Sequence, residues 1–255
     1  MRFNNGKIQI AKVWNVPIYL DWTLIIMAAM FVFRAGSLIV GLISAVVLLV
    51  SILLHELGHT AVALSYGCRV RDITLLLLGG RASLVTTPRQ PVKEALMAAA
   101  GPLVSLALWF FGHGLIKLGV VRLSTIPGDI CSYLAFVNIW LFLFNLVPAF
   151  PMDGGRIFRA LLASRLGRRR ATFIAYRVAQ VLAIGMAIWA VVGGFDLVLM
   201  LIAYFVFTSA RAEYAAVCAE GGFGGGYDPR NDDSVIISPP PYGHHDDVAD
   251  IYKER

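Results

Sequence analysis

The stretch SLIVGLISAVVLLVSILLHELGHTAVALS, residues 37–65, is long and apolar enough to cross a membrane, yet it carries His55, Glu56 and His59. A span needs about 20 mostly apolar residues. Ionisable groups at that depth are expensive and point to function by default. On a helix the two histidines, four residues apart, project from one face toward a single ion, and Glu56 between them reaches a water held there. Two imidazoles in an open site suit catalytic zinc when a carboxylate joins them. The bland alternative is a histidine pair bonded to neighbouring helices with Glu56 as partner.

Outward from this segment, the 255-residue chain is 58% hydrophobic and 15% charged, with a mean hydropathy of +0.72. A soluble domain does not reach that balance. Spans are expected at roughly 17–33, 37–65, 95–119, 131–150, 172–193 and 195–212. The expected fold is therefore an all-α polytopic membrane protein of about six transmembrane helices. The organisation expected is a cytoplasmic segment 1–16, a membrane core 17–218 and a disordered cytoplasmic tail 219–255 rich in Gly, Pro and Asp. No small-residue cleavage site follows the first apolar stretch, so it is read as a retained anchor. Three scattered cysteines, Cys68, Cys131 and Cys218, make neither a disulfide framework nor a thiolate site. The net charge of +6 is an orientation signal rather than a mark of nucleic-acid binding.

With the N-terminus inside, the inner segments hold fourteen Lys and Arg and the outer ones three, Arg34, Lys117 and Arg122. The positive-inside rule then puts both termini in the cytoplasm, as expected for a multi-pass protein of the cell membrane. The third metal ligand is sought in Asn145-Leu-Val-Pro-Ala-Phe-Pro-Met-Asp153-Gly-Gly-Arg156, where Pro148 and Pro151 prevent a regular helix. Broken backbone at membrane depth is tolerated where it is buried or lines a cavity. Asp153 has a second reading as N-cap of the following helix. The topology favours ligation, because spans two and four run in the same direction and bring HExxH and Asp153 to a similar depth.

HELGH on one span and NLVPAFPMDGGR on a later one resemble the site-2 protease family of intramembrane metalloproteases, in its compact branch without PDZ or CBS domains. The likeness covers roughly residues 8–212, and Ala100-Gly-Pro-Leu103 also resembles a recurrent family feature. The resemblance implies one Zn2+ per chain held by His55, His59 and Asp153, with Glu56 as general base and Asn145 near substrate or oxyanion. Met152 stands where the family more often has Leu. The activity implied is zinc-dependent hydrolysis of peptide bonds within or beside transmembrane segments, as in regulated intramembrane proteolysis. The partners implied are a single-span membrane-protein substrate and the lipid bilayer, with a homo-oligomer compatible.

In such a site zinc polarises the scissile carbonyl and lets water attack near neutral pH. Glu56 then shuttles the proton, and Asn145 is either an oxyanion donor or a satisfied helix-terminal amide. A helical substrate must be unwound, and a sheet edge can hold it in extended form. The segment 72–86 reads as a short membrane-dipping β-hairpin in which Gly79 and Gly80 let substrate backbone approach, the alternative being a plain interfacial turn. His113 reads as packing or interfacial. His244-His-Asp-Asp247 and Pro239-Pro-Pro-Tyr242 lie in the tail and carry no reading beyond a solvated run and a WW-ligand pattern. Glu94, Glu213, Glu220 and Glu254 lack a convincing setting as a rival third ligand.

Overall fold

The computed structural model describes residues 3–4, 7–76, 79–88, 90–220 and 236–237. The chain divides into two compact units, one of residues 1–84 and 99–145 and the other of residues 85–98 and 146–255.

The first unit begins with a sheet. Strands β1 (Phe3–Asn4), β2 (Lys7–Val13), β3 (Val16–Asp21), β4 (Val70–Leu76) and β5 (Gly79–Leu84) lie side by side in that order. Trp14 and Asn15, both at positive φ, make the tight turn between β2 and β3, the geometry that suits a two-residue hairpin. Ile18, Tyr19 and Leu20 of β3 pair in parallel with Ile73, Thr74 and Leu75 of β4. Parallel neighbours need a long crossover. Here it is made by two helices, α1 (Thr23–Ala35) and α2 (Leu38–Ser65), joined through Gly36. Val16, Ile18, Ile73 and Leu75 of the sheet share one core with Leu24 and Met27 of α1 and Ala45 and Ile52 of α2. The sheet is thus fixed against the helix that carries HExxH, and β5 is left as its edge. The C-terminal part of α3 (Pro91–Lys117) and α4 (Ile126–Asn145) complete this unit.

The second unit is built on α5 (Asp153–Leu166), α6 (Arg168–Val192) and α7 (Leu197–Glu220). Ala171, Ala175, Ala179 and Ala183 recur every four residues of α6 and are buried. Small side chains at that spacing let helix backbones approach closely where lipid supplies no hydrophobic drive. Ala175, Ala179 and Ala183 share a core with Val206 and Ala210 of α7 and with Ala149, Phe150 and Met152 of the segment ahead of α5. Thr86–Thr87, strand β6, pairs with Ile236–Ile237, strand β7.

Among the described residues five helices are long and apolar enough to cross a membrane: α2, α3, α4, α6 and α7. Phe33 is 92% exposed, Val192 81% and Trp189 74%. Apolar surface that extensive belongs in lipid, and the protein is a multi-pass integral membrane protein. The expected sixth crossing, 17–33, is divided: its start is strand β3, and α1 has 13 residues, fewer than a span requires. A continuous apolar run does not by itself distinguish a buried strand from a helix. The expected hairpin at 72–86 is present as β4 and β5, extended by the N-terminal strands into a five-stranded sheet. Spans five and six are separate helices on either side of Gly193–Asp196. Of the tail expected to be disordered, 219–255, residues 219–220 end α7 and 236–237 form β7, and the rest lies outside the described residues.

Candidate metal centre

The α2 helix places His55 and His59 one turn apart, and their rings meet edge to face with centroids 4.9 Å apart. The two Nε2 atoms are 3.2 Å from each other. Tetrahedral zinc with Zn–N bonds of about 2.0–2.1 Å holds two nitrogens roughly 3.3 Å apart, so the pair is already spaced to share one ion through Nε2. His55 and His59 each offer one imidazole nitrogen and Asp153 one carboxylate oxygen, ligand types able to hold a metal ion. Two imidazoles and one carboxylate are the donor set of an open catalytic zinc site.

Helix α3 supplies two features that the sequence reading left without a role. The first is Gly101. A Cβ built there would stand 2.2 Å from His59 Nε2 and 2.7 Å from His55 Nε2, so any side chain would press on both nitrogens. The second is Ser105, one turn further on, whose Oγ lies 2.9 Å from His55 Nδ1. Ser105 is fully buried and His55 nearly so. The Ala100-Gly-Pro-Leu103 motif marked the neighbourhood of Gly101. Ser105 carried no local signal beyond a hydroxyl in an apolar helix.

Glu56 leans toward the sheet. A Cβ on Gly80 would lie 2.4 Å from its Cγ and 2.8 Å from Oε1. Gly79 and Gly80 open the edge strand β5, paired to Leu76 and Leu75 of β4. The candidate general base therefore stands beside a strand whose outer side has no strand partner in the sheet among the described residues.

In the second unit Asp153 is buried as the first residue of α5, following Met152 in extended backbone. Gly154 and Gly155 let the preceding segment fold back on the helix start. A Cβ on either would come within 2.6 Å of backbone atoms of Leu146 or Ala149. Arg159, one and a half turns along α5, is buried and bonds Glu94 through Nε at 2.9 Å. It also bonds Glu213 through Nη1 and lies 5.1 Å above the ring of Phe150. Burial opposes the guanidinium charge, but Glu94 and Glu213 outweigh it and hold the Arg159 pKa above its ordinary value. These two glutamates, weighed in the sequence as rival ligands, are instead partners of Arg159.

Asn145 ends α4 and donates from Nδ2 to the Leu141 carbonyl at 2.9 Å. His113 stacks on Trp109, with centroids 5.5 Å apart. The histidines and the Pro-Pro-Tyr run of the tail lie outside the described residues.

A family model described as peptidase family M50 matches residues 43–125 and 122–186. The chain is 34% identical over 223 residues to a zinc metalloprotease of Methanocaldococcus jannaschii, covering 85% of this chain and 63% of that protein. It is 30% identical over 144 residues to stage IV sporulation protein FB of Bacillus subtilis, covering 56% of this chain and 48% of that protein. The chain thus spans less than two thirds of the length of these two relatives. The solved structure of a site-2 protease from Methanocaldococcus jannaschii is similar with a TM-score of 0.63 and 34% identity, covering 82% of this chain and 95% of that one.

Proposed function

The chain belongs to peptidase family M50, the site-2 protease family, and from that premise we propose that it is a zinc endopeptidase cutting membrane proteins within or beside their transmembrane segments. The observation that carries the reading is the pair of His55 and His59, whose Nε2 atoms lie 3.2 Å apart, with Glu56 on the same helix. His55 and His59 would hold one Zn2+, and Asp153 would give the third ligand. Bound there, zinc supplies Lewis acidity that polarises a carbonyl and lowers the pKa of water into the neutral range. Glu56 takes the proton from the attacking water and delivers it to the leaving amine. Asn145 sits at the end of α4, and release of its amide from Leu141 would free it to donate to the developing oxyanion.

The substrate is a single-span membrane protein whose helix is unwound and laid along β5 by main-chain pairing. Gly79 and Gly80 open that edge, and the closeness of Gly80 to Glu56 supports the placement. The excess of Lys and Arg in alternate loops supports cytoplasmic termini in the cell membrane, and a role in regulated intramembrane proteolysis follows from the substrate class.

The test is cleavage of a single-span reporter in proteoliposomes. Wild-type protein should cut it in or next to the span, and Glu56→Gln should not. Full cleavage by Glu56→Gln would sink the assignment.

A further inference from the structure

Ser105 is a fully buried hydroxyl in a stretch of α3 flanked by Leu103, Val104, Leu106 and Ala107. A polar group so placed needs a partner, and the structure sets its Oγ 2.9 Å from Nδ1 of His55. A neutral imidazole carries one proton on one of its two nitrogens. If Ser105 donated to Nδ1, that proton would sit on Nε2 and point at His59 Nε2, 3.2 Å away, where the ion has to bind. If Ser105 accepts from Nδ1–H instead, Nε2 presents a lone pair to the ion. The hydroxyl is free to take the accepting role, because a helical serine can pass its own proton to a carbonyl one turn back.

We infer that Ser105 is a positioning residue for His55: its oxygen accepts the Nδ1 proton, fixing the ring and leaving the Nε2 lone pair turned toward the metal. The inference rests on the zinc reading above. Partners of this kind on the far nitrogen of a metal-binding histidine set both the tautomer and the ring angle. Gly101, one turn earlier on the same helix, has no side chain to occupy the space beside the Nε2 atoms of His55 and His59. One face of α3 thus both clears the ion's position and aims a ligand at it.

The test uses the full chain in detergent, as wild type, Ser105→Ala, Ser105→Thr and His55→Ala. Zinc affinity is measured by competition with a chromophoric chelator. The tautomer is read from nitrogen NMR of 15N-histidine-labelled, zinc-free protein. Ser105→Ala should weaken zinc binding by about 10- to 100-fold and turn His55 from the Nδ1–H form to a mixture. Ser105→Thr, which keeps the hydroxyl, should recover most of the affinity and the wild-type tautomer. Wild-type affinity in Ser105→Ala overturns the inference. So does a loss that Ser105→Thr leaves unrepaired in both measurements, since packing rather than the oxygen would then be at fault. His55→Ala separates the two levels: if it binds zinc as tightly as wild type, the metal site itself is misplaced, whatever Ser105 does.

Discussion

Gly80 lies so close to Glu56 that a Cβ on the glycine would come within 2.4 Å of the glutamate's Cγ. The strand edge and the candidate general base are therefore coupled: no side chain can be added to one without moving the other. Gly80→Ala should leave zinc content near wild type, because neither histidine is touched. The cleavage rate should fall by about 100-fold, the scale of loss that follows a displacement of about 1 Å in a catalytic group. Gly80→Val should be worse. Measuring zinc and cleavage on the same preparations checks this, and an unimpaired Gly80→Val enzyme would remove Gly80 from the site.

Gly101→Ala should show the opposite pattern. In most helix interiors that change gains up to about 1 kcal/mol. Here the added methyl would stand against both Nε2 atoms, so zinc binding should fall sharply while helical content by circular dichroism stays unchanged. Undiminished zinc affinity in this variant would mean that the ion lies elsewhere.

The network of Arg159 with Glu94 and Glu213 joins the start of α3, α5 and α7 within one unit. Removing one member of a buried ion pair leaves an uncompensated charge and costs about 3–5 kcal/mol. Arg159→Met should lower the thermal midpoint strongly. Glu94→Gln combined with Arg159→Met should recover part of the loss, because the stranded carboxylate is gone. Thermal scans of single and double variants decide it; strictly additive losses would show that the charges are not coupled.

The signals that mark the candidate site in the chain are local. HExxH is a five-residue pattern on one helix, and the two prolines before Asp153 break the backbone whatever surrounds them. The glycines of β5 could be picked out for the same reason. What could not be read depends on partners far apart in sequence. The parallel pairing of β3 with β4 joins Ile18 to Ile73, and no periodicity within either strand encodes it. Ser105 meets His55 across 50 positions, and Arg159 meets Glu94 across 65. The 17–33 stretch reads as one apolar run, yet Val16–Asp21 is a strand of the sheet and the helix begins only at Thr23.

The last prediction separates a ligand from a cap at Asp153. As the first residue of α5, its carboxylate could serve the helix alone, in which case Asp153→Ala would cost about 1 kcal/mol of stability and spare the metal. As the third ligand it should instead leave only two imidazoles, too few to hold an open zinc site tightly. Zinc in Asp153→Ala should then drop well below one per chain and turnover should vanish. His55→Ala and His59→Ala should lose metal and activity in the same way. Glu56→Gln keeps the size and polarity of the side chain but accepts no proton, so it should retain zinc and lose cleavage by orders of magnitude. Stripping wild-type enzyme with a chelator should abolish cleavage, and adding zinc should restore it; the same addition should restore nothing in Glu56→Gln. Metal analysis beside the cleavage assay distinguishes these patterns. Asp153→Ala protein that holds a full equivalent of zinc would assign the residue to the helix and leave the third ligand to be found.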